Sequence, residues 1–208
     1  MELIEGNCLD FLEKYRMPIE RLSVDCVIAS LPFRKNGSSS FAKQASEAWN
    51  AEYENFRRLW DCFSWICKKD APILVFGQEP FASMARLSSK DYRHDLYWEK
   101  ESGRVEPIGV FWERKPSLNP KAALRPARLL RHGDDVSLMK AVLASHVTEG
   151  GTVLDCCMGG GSAGIACLEL GLNYIGIEED HKIFMAAKER LERFEKEMTS
   201  PAEEGDVF

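Results

Sequence analysis

The chain has 208 residues, 45% of them hydrophobic and 29% charged, with a formal net charge of −6. That length suits one domain with a substantial core, and the balance excludes a disordered or fibrous chain. No apolar run approaches the roughly 20 residues of a bilayer span, residues 1–6 lack a secretory signal's pattern, and the seven cysteines form no metal-spaced sets with His.

The expectation is therefore a cytoplasmic protein with buried thiols and no metal. In chain order, short β-rich runs at Leu3-Ile4 and at 25–29, 72–76, 96–98, 108–112, 152–155 and 173–178 predict strands. Residues 47–69 place Trp49, Tyr53, Phe56, Leu59, Trp60, Phe63 and Cys67 at three- and four-residue steps, the stripe of a long amphipathic helix. Residues 138–147, 162–170 and 183–198 are further helices, and Phe81, Met84 and Leu87 read as one helix face. Strands alternating with helices predict an α/β fold with a mostly parallel sheet and helices on both faces. A single domain is expected over 1–208, with a short basic, target-recognising segment at 101–131 and a tail at 199–208.

The strongest local signal is a strand, 152–155, running into Gly159-Gly160-Gly161-Ser162-Ala163-Gly164 and then a helix, which fits Gly-x-Gly-x-x-Gly. Glycines there allow a tight turn and a close approach to a ligand, and Glu178, ending the next strand, is placed to accept hydrogen bonds from ribose hydroxyls. Only 30 residues follow Glu178, too few for a second mononucleotide half, and the loop lacks the Lys of a phosphate-binding loop. A ligand with one ribose and no pyrophosphate fits better than a nicotinamide cofactor.

The run from Val153 to Gly164, followed by Ala-Cys-Leu-x-Leu-Gly and Tyr-Ile-Gly-Ile-Glu, resembles the S-adenosyl-L-methionine motif of amino-group DNA methyltransferases. The motif order, catalytic first and cofactor last, is similar to the beta class of that family and its small phage and prophage members. Other landmarks follow: Leu3-Ile4-Glu5-Gly6-Asn7-Cys8-Leu9-Asp10 is similar to the opening Gly-Asp-Cys strand, Ile73-Leu74-Val75-Phe76-Gly77 to the mid-sheet strand, and Tyr97-Trp98-Glu99-Lys100 to the element before target recognition. The resemblance implies a Rossmann-like, circularly permuted methyltransferase fold that binds S-adenosyl-L-methionine and double-stranded DNA. It also implies cofactor contacts from Asn7, Cys8, Asp155, Cys156, Met158, Gly159, Gly160, Gly161, Ser162 and Glu178, and pairing as a homodimer.

The family's catalytic tetrapeptide, (Asp, Asn or Ser)-Pro-Pro-aromatic, is matched by Ser30-Leu31-Pro32-Phe33. An exocyclic base nitrogen is a poor nucleophile because its lone pair is delocalised into the ring. A side-chain oxygen and a backbone carbonyl accepting its two N–H groups aim it at the methyl group, while the aromatic stacks on the flipped-out base. Leu31 departs from the pattern, as do Asn7 for the family's Asp and His132-Gly133-Asp134-Asp135-Val136-Ser137 for its His-Pro-x-x-Lys-Pro. These departures keep an alternative open, a non-catalytic DNA-binding subunit or the partner of an active methyltransferase in a heterodimer. Between residues 114 and 131 there are six bases and no acid: Arg114, Lys115, Lys121, Arg125, Arg128 and Arg131 are candidates for phosphate contact. Gln78 and Glu79, after the mid-sheet strand, are placed to face the base pocket.

Overall fold

The computed structural model describes residues 1–14, 23–30, 43–117, 129–131 and 134–199. Their strands form one eight-stranded sheet. In chain order the strands are β1 (Glu2–Glu5), β2 (Cys26–Ala29), β3 (Ile73–Phe76), β4 (Tyr92–Glu99), β5 (Val105–Phe111), β6 (Leu129–Arg131), β7 (Thr152–Asp155) and β8 (Asn173–Glu178). They lie side by side as β1-β8-β7-β2-β3-β5-β4-β6. All neighbours pair in parallel except β5, which runs antiparallel to both β3 and β4. The mostly parallel sheet expected from the alternation is present.

Successive residues of a strand point to opposite faces, so a sheet covered on both sides needs continuous apolar runs. In β2, Cys26 and Ile28 join one core while Val27 and Ala29 join the other; Leu74 and Phe76 part from Val75 in the same way. Helices α4 (Asp135–His146), α5 (Ser162–Glu169) and α6 (His181–Thr199) cover the first face. The second is covered by α1 (Cys8–Lys14), α2 (Lys43–Ile66) and α3 (Phe81–Ser88). On α2, Phe56, Leu59, Cys62, Phe63 and Ile66 are buried, and Trp60 packs on Phe111 at 4.7 Å between ring centroids.

Three details differ from the sequence reading. Helix α1 follows β1 after a two-residue turn, where the sequence reading joins the Gly-Asn-Cys landmark to the strand; its buried face is only Cys8 and Leu12, too short for a periodic signal. Strand β6 lies inside the basic segment and pairs with β4, burying Leu130. On α3, Phe81, Met84 and Ala85 are buried, but Leu87 is 72% exposed. At 3.6 residues per turn Ala85 completes that face and Leu87 has rotated past it.

The chain leaves β7 towards β8 on one side of the sheet and leaves β2 towards β3 on the other. The connections therefore diverge between two adjacent strands, β7 and β2, and open a crevice at their carboxyl ends. Asp155 ends β7 beside Ile28 of β2, so the glycine loop and Ser30 emerge next to each other.

Candidate cofactor and base site

The loop after β7 is tied to both neighbouring strands: the Cys156 N–H donates to the Ile28 carbonyl, and the Met158 N–H to the Ile177 carbonyl, both at 2.9 Å. Its glycines divide the work. Gly159 (φ +50°) turns the chain, with open space where a Cβ would stand. Gly161 and Gly164 instead let α5 approach α6 and β8. A Cβ on Gly164 would sit 2.7 Å from Leu191 and 2.9 Å from Tyr174, inside any tolerable contact. Arg190 of α6 braces the loop from behind, donating to the Gly160 carbonyl at 2.6 Å.

Glu178 ends β8 and grips the same loop. One of its oxygens accepts the Gly159 N–H and the other the Asp180 N–H, each at 3.0 Å. A phosphate-binding loop keeps its N–H groups for the ligand, whereas here a carboxylate takes one of them. An ionised carboxylate has about four acceptor sites, so Glu178 retains capacity for hydroxyl donors.

Beside this loop lies a cavity of about 310 Å³. On one side it is lined by Asp155, Cys157, Met158, Gly159, Gly160, Ser162 and Ala163, with Ser30 at the end of β2. On the other are Gln78, Trp98, Lys100 and Glu106, and Asp135 and Met139 of α4 also line it. The size is that of a small-ligand site. Asp155 is 3% exposed and accepts hydrogen bonds from the Tyr174 hydroxyl (3.0 Å) and the Cys157 N–H (3.3 Å). Burial raises its pKa from 3.8 to about 7, the Glu178 charge adds to the rise, and the two hydrogen bonds oppose it. Among the described residues neither Asp155 nor Glu178 is in an ion pair, and acids so placed favour a positively charged ligand and repel a phosphate.

Of the residues singled out by sequence, Ser30, Asp155, Met158, Gly159, Gly160 and Ser162 meet in this cavity. Glu178 stands behind Gly159, and Gly161 packs on α6. Cys8 and Cys156 are buried core thiols, as are the other cysteines apart from half-buried Cys157. Asn7 caps α1, its Oδ1 accepting from the N–H groups of Leu9 (3.0 Å) and Asp10 (3.2 Å), and its Nδ2 donates to Glu179 at 2.6 Å. Leu31, Pro32, Phe33, Lys121, Arg125 and Arg128 lie outside the described residues. The basic segment starts far from the cavity: exposed Arg114 and Lys115 follow the amino-end edge of the sheet, beside Lys69. It returns through β6, where Arg131 is paired in the sheet with Glu99, the residue before Lys100.

Gln78 faces the cavity as expected, but Glu79 turns away to Arg86 and Ser83. Sequence reasoning misses Lys100, Glu106, Asp135 and Arg190 as parts of the site. Lys100 enters it only within a landmark, and Arg190 lies on a helix face that sequence reads as solvated ion pairs.

The DNA methylase family of N6 and N4 methyltransferases matches the chain over residues 33–189. No curated protein sequence matches it. Among solved structures it is similar to PvuII DNA methyltransferase, described as cytosine-N4-specific, with TM-score 0.72, 13% identity and coverage of 94% of this chain and 91% of that one. It is also similar to M1.HpyAVI in complex with SAM, S-adenosyl-L-methionine (TM-score 0.69, 20% identity, 91% and 98% covered). A protein from Thermus thermophilus assigned as a DNA modification methylase, complexed with S-adenosyl-L-methionine, gives TM-score 0.71 at 18% identity, with 93% and 95% covered. The sheet order and the glycine loop are thus those of a methyltransferase fold, and with three quarters of its length matched by the family, the chain belongs to the N6/N4 DNA methylases.

Proposed function

We propose that the chain transfers the methyl group of S-adenosyl-L-methionine to an exocyclic amino nitrogen of a base in double-stranded DNA. One observation carries the reading: a glycine loop whose first N–H is taken by Glu178, with Asp155 beside it, shares a cavity with Ser30. A cationic, single-ribose ligand fits that charge, and its size fits the cavity. Bound there, the cofactor supplies an electrophilic methyl carbon.

The residues divide the remaining work. Asp155 and Asp135 attract the cationic methionine portion, while Met158, Gly159, Gly160 and Ser162 surround it. Glu178 accepts from the ribose hydroxyls, and Asn7, Cys8, Cys156 and Gly161 hold that end of the site in place. Ser30 Oγ and the Leu31 carbonyl accept the two N–H groups of the target amine, with Phe33 stacked on the base. Because Ser30 is uncharged, it orients the amine rather than taking its proton; as the N–C bond forms the S–C bond breaks, and the amine proton then passes to water. Arg131, beside Glu99 in the sheet, with Lys121, Arg125 and Arg128, contacts phosphates, and Arg114 and Lys115 do so only if the duplex extends past the sheet.

The single sheet through all described strands supports one methyltransferase domain. Pairing of two chains completes the reading on the strength of the resemblance, and a cytoplasmic setting on that of the free thiols, which suit a reducing compartment. No helix of the described residues is long and apolar enough to cross a membrane. No finding favours the non-catalytic alternative. The test is transfer of label from methyl-labelled S-adenosyl-L-methionine to mixed-sequence duplex DNA. Incorporation by the parent and its loss in Ser30→Ala are expected; a parent that binds the cofactor and labels no duplex refutes the enzyme.

A further inference from the structure

The strand order sorts the ends that surround the cavity. Glu178 follows β8, the glycine loop β7 and Ser30 β2; Gln78 follows β3, Glu106 opens β5 and Lys100 follows β4. Ser30 stands between two halves. The half towards β8 carries Asp155, Glu178 and the glycine loop, and the half towards β4 carries a second cluster that cofactor binding leaves unused.

That cluster is organised around Glu106. Its Oε1 accepts from Gln78 Nε2 at 3.0 Å and lies 3.4 Å from Arg104 Nε, while its Oε2 pairs with Lys100 Nζ at 2.9 Å. Lys100 Nζ also lies 4.3 Å above the ring of Trp98, which is buried in the cavity wall. A carboxylate can only accept, so Glu106 fixes the Gln78 amide with its NH₂ turned to this side. Gln78 and Lys100 have further N–H groups beyond those given to Glu106, and Lys100 has no acceptor at all. With Arg104 the cluster carries a net positive charge. The wall therefore offers donors to whatever occupies the cavity beyond Ser30.

We propose that Gln78 and Lys100, positioned by Glu106, read the ring-nitrogen and carbonyl edge of a flipped-out cytosine, so that the amine held at Ser30 is cytosine N4. This deepens the methyl-transfer reading and rests on it. Strands lie about 4.8 Å apart, so the ends of β2 and β5 are separated by about 10 Å, room for one ring hydrogen-bonded at both edges. Next to its amine, cytosine presents two acceptors, N3 and O2, which match two donors. Adenine presents N1 and then a C–H, so the Lys100 N–H left over from its pairing with Glu106 would meet no acceptor on the base. Thymine would set an N–H against the donors. A site built to donate discriminates strongly against a base lacking the acceptor, because the buried polar group is then left unpaired.

The experiment treats mixed-sequence duplex DNA with the full-length protein and labelled S-adenosyl-L-methionine, digests the DNA and identifies the labelled nucleoside. N4-methylcytosine alone is expected. N6-methyladenine overturns the assignment and leaves the methyl-transfer reading standing. No labelled nucleoside from a protein that binds the cofactor overturns both. Lys100→Met should lower kcat/KM for DNA about ten- to a hundredfold, with unchanged cofactor affinity and thermal midpoint. Undiminished kcat/KM in that variant removes Lys100 from base reading even if cytosine is the product.

Discussion

Asp155 offers a test in which the structure sets both sign and size. Its carboxyl is buried at the end of β7 and has its pKa raised from 3.8 to about 7, first by desolvation and then by the Glu178 charge. The folded state therefore binds a proton more tightly than the unfolded chain. Stability from this group is full below about pH 4, falls as pH rises towards 7, and is lost above it. The interval from 3.8 to about 7 corresponds to about 4 kcal/mol at about 1.4 kcal/mol per pH unit. With the side chain 3% exposed, solvent screening does not reduce this appreciably. Asp155→Asn removes the charge and keeps an acceptor for Tyr174. Urea unfolding at pH 5 to 8 should show the variant gaining on the parent as pH rises, with the gap widening most between pH 5 and 7. Cofactor affinity should move the opposite way in the parent: a cationic ligand favours the ionised carboxylate, so binding should be about tenfold weaker at pH 6 than at pH 8. In Asp155→Asn that dependence should flatten. Parallel stability profiles and parallel binding profiles for the two proteins would refute the reasoning, because all other titrating groups cancel in the comparison.

Glu178→Ala removes the acceptor for the Gly159 and Asp180 N–H groups and the proposed ribose partner. Calorimetry should show cofactor binding weakened by about 1.5–3 kcal/mol, roughly ten- to a hundredfold, and unchanged affinity would exclude Glu178 from the site. The glycines should separate in chemical denaturation and binding. Gly164→Ala, crowded by Leu191 and Tyr174, should lose about 1–3 kcal/mol of stability, whereas Gly159→Ala, in open space at positive φ, should lose about 1 kcal/mol and chiefly impair cofactor binding. Equal stability losses would contradict that division. Replacing Arg125 and Arg128 by Ala should lower the salt slope of duplex binding by about two with little change in sequence preference. A slope that stays put would move the phosphate contacts elsewhere.

The parts of this molecule legible in its sequence are those whose physics is local. Buried strands such as Cys26–Ala29 and Ile73–Phe76 must be apolar on both faces, and the stripe of α2 repeats often enough to be read. A glycine turn between a strand and a helix is equally visible. Short elements leave no such trace: α1 buries two residues, and β6 has three residues in all. Contacts that depend on tertiary placement are also silent. Arg190 reaches Gly160 across 30 residues of chain, and Glu106 meets Gln78 and Lys100 only because β5 runs antiparallel between β3 and β4. That same reversal puts Arg114 at the far edge of the sheet. A charge count along the chain cannot reveal a change of strand direction.

Two departures from the family pattern acquire a physical account once the neighbours are known. Asn7 stands where the resemblance implies Asp, and both are good helix caps, so α1 loses nothing. Only an amide, however, can also donate to Glu179 at 2.6 Å; a carboxylate there would face another carboxylate. The change thus follows from the acid that comes after Glu178. Similarly, Ser137 stands at the last Pro of the His-Pro-x-x-Lys-Pro pattern, and Asp134, at one of its unspecified positions, caps α4 by accepting from the Ser137 N–H at 2.8 Å and the Ser137 hydroxyl at 2.7 Å. The next residue, Asp135, then lines the cavity and adds an acid to it. Both departures keep a local helix start: Asn7 caps α1 through the Leu9 and Asp10 N–H groups, and Asp134 caps α4 through the Ser137 N–H, so neither change costs the fold a helix.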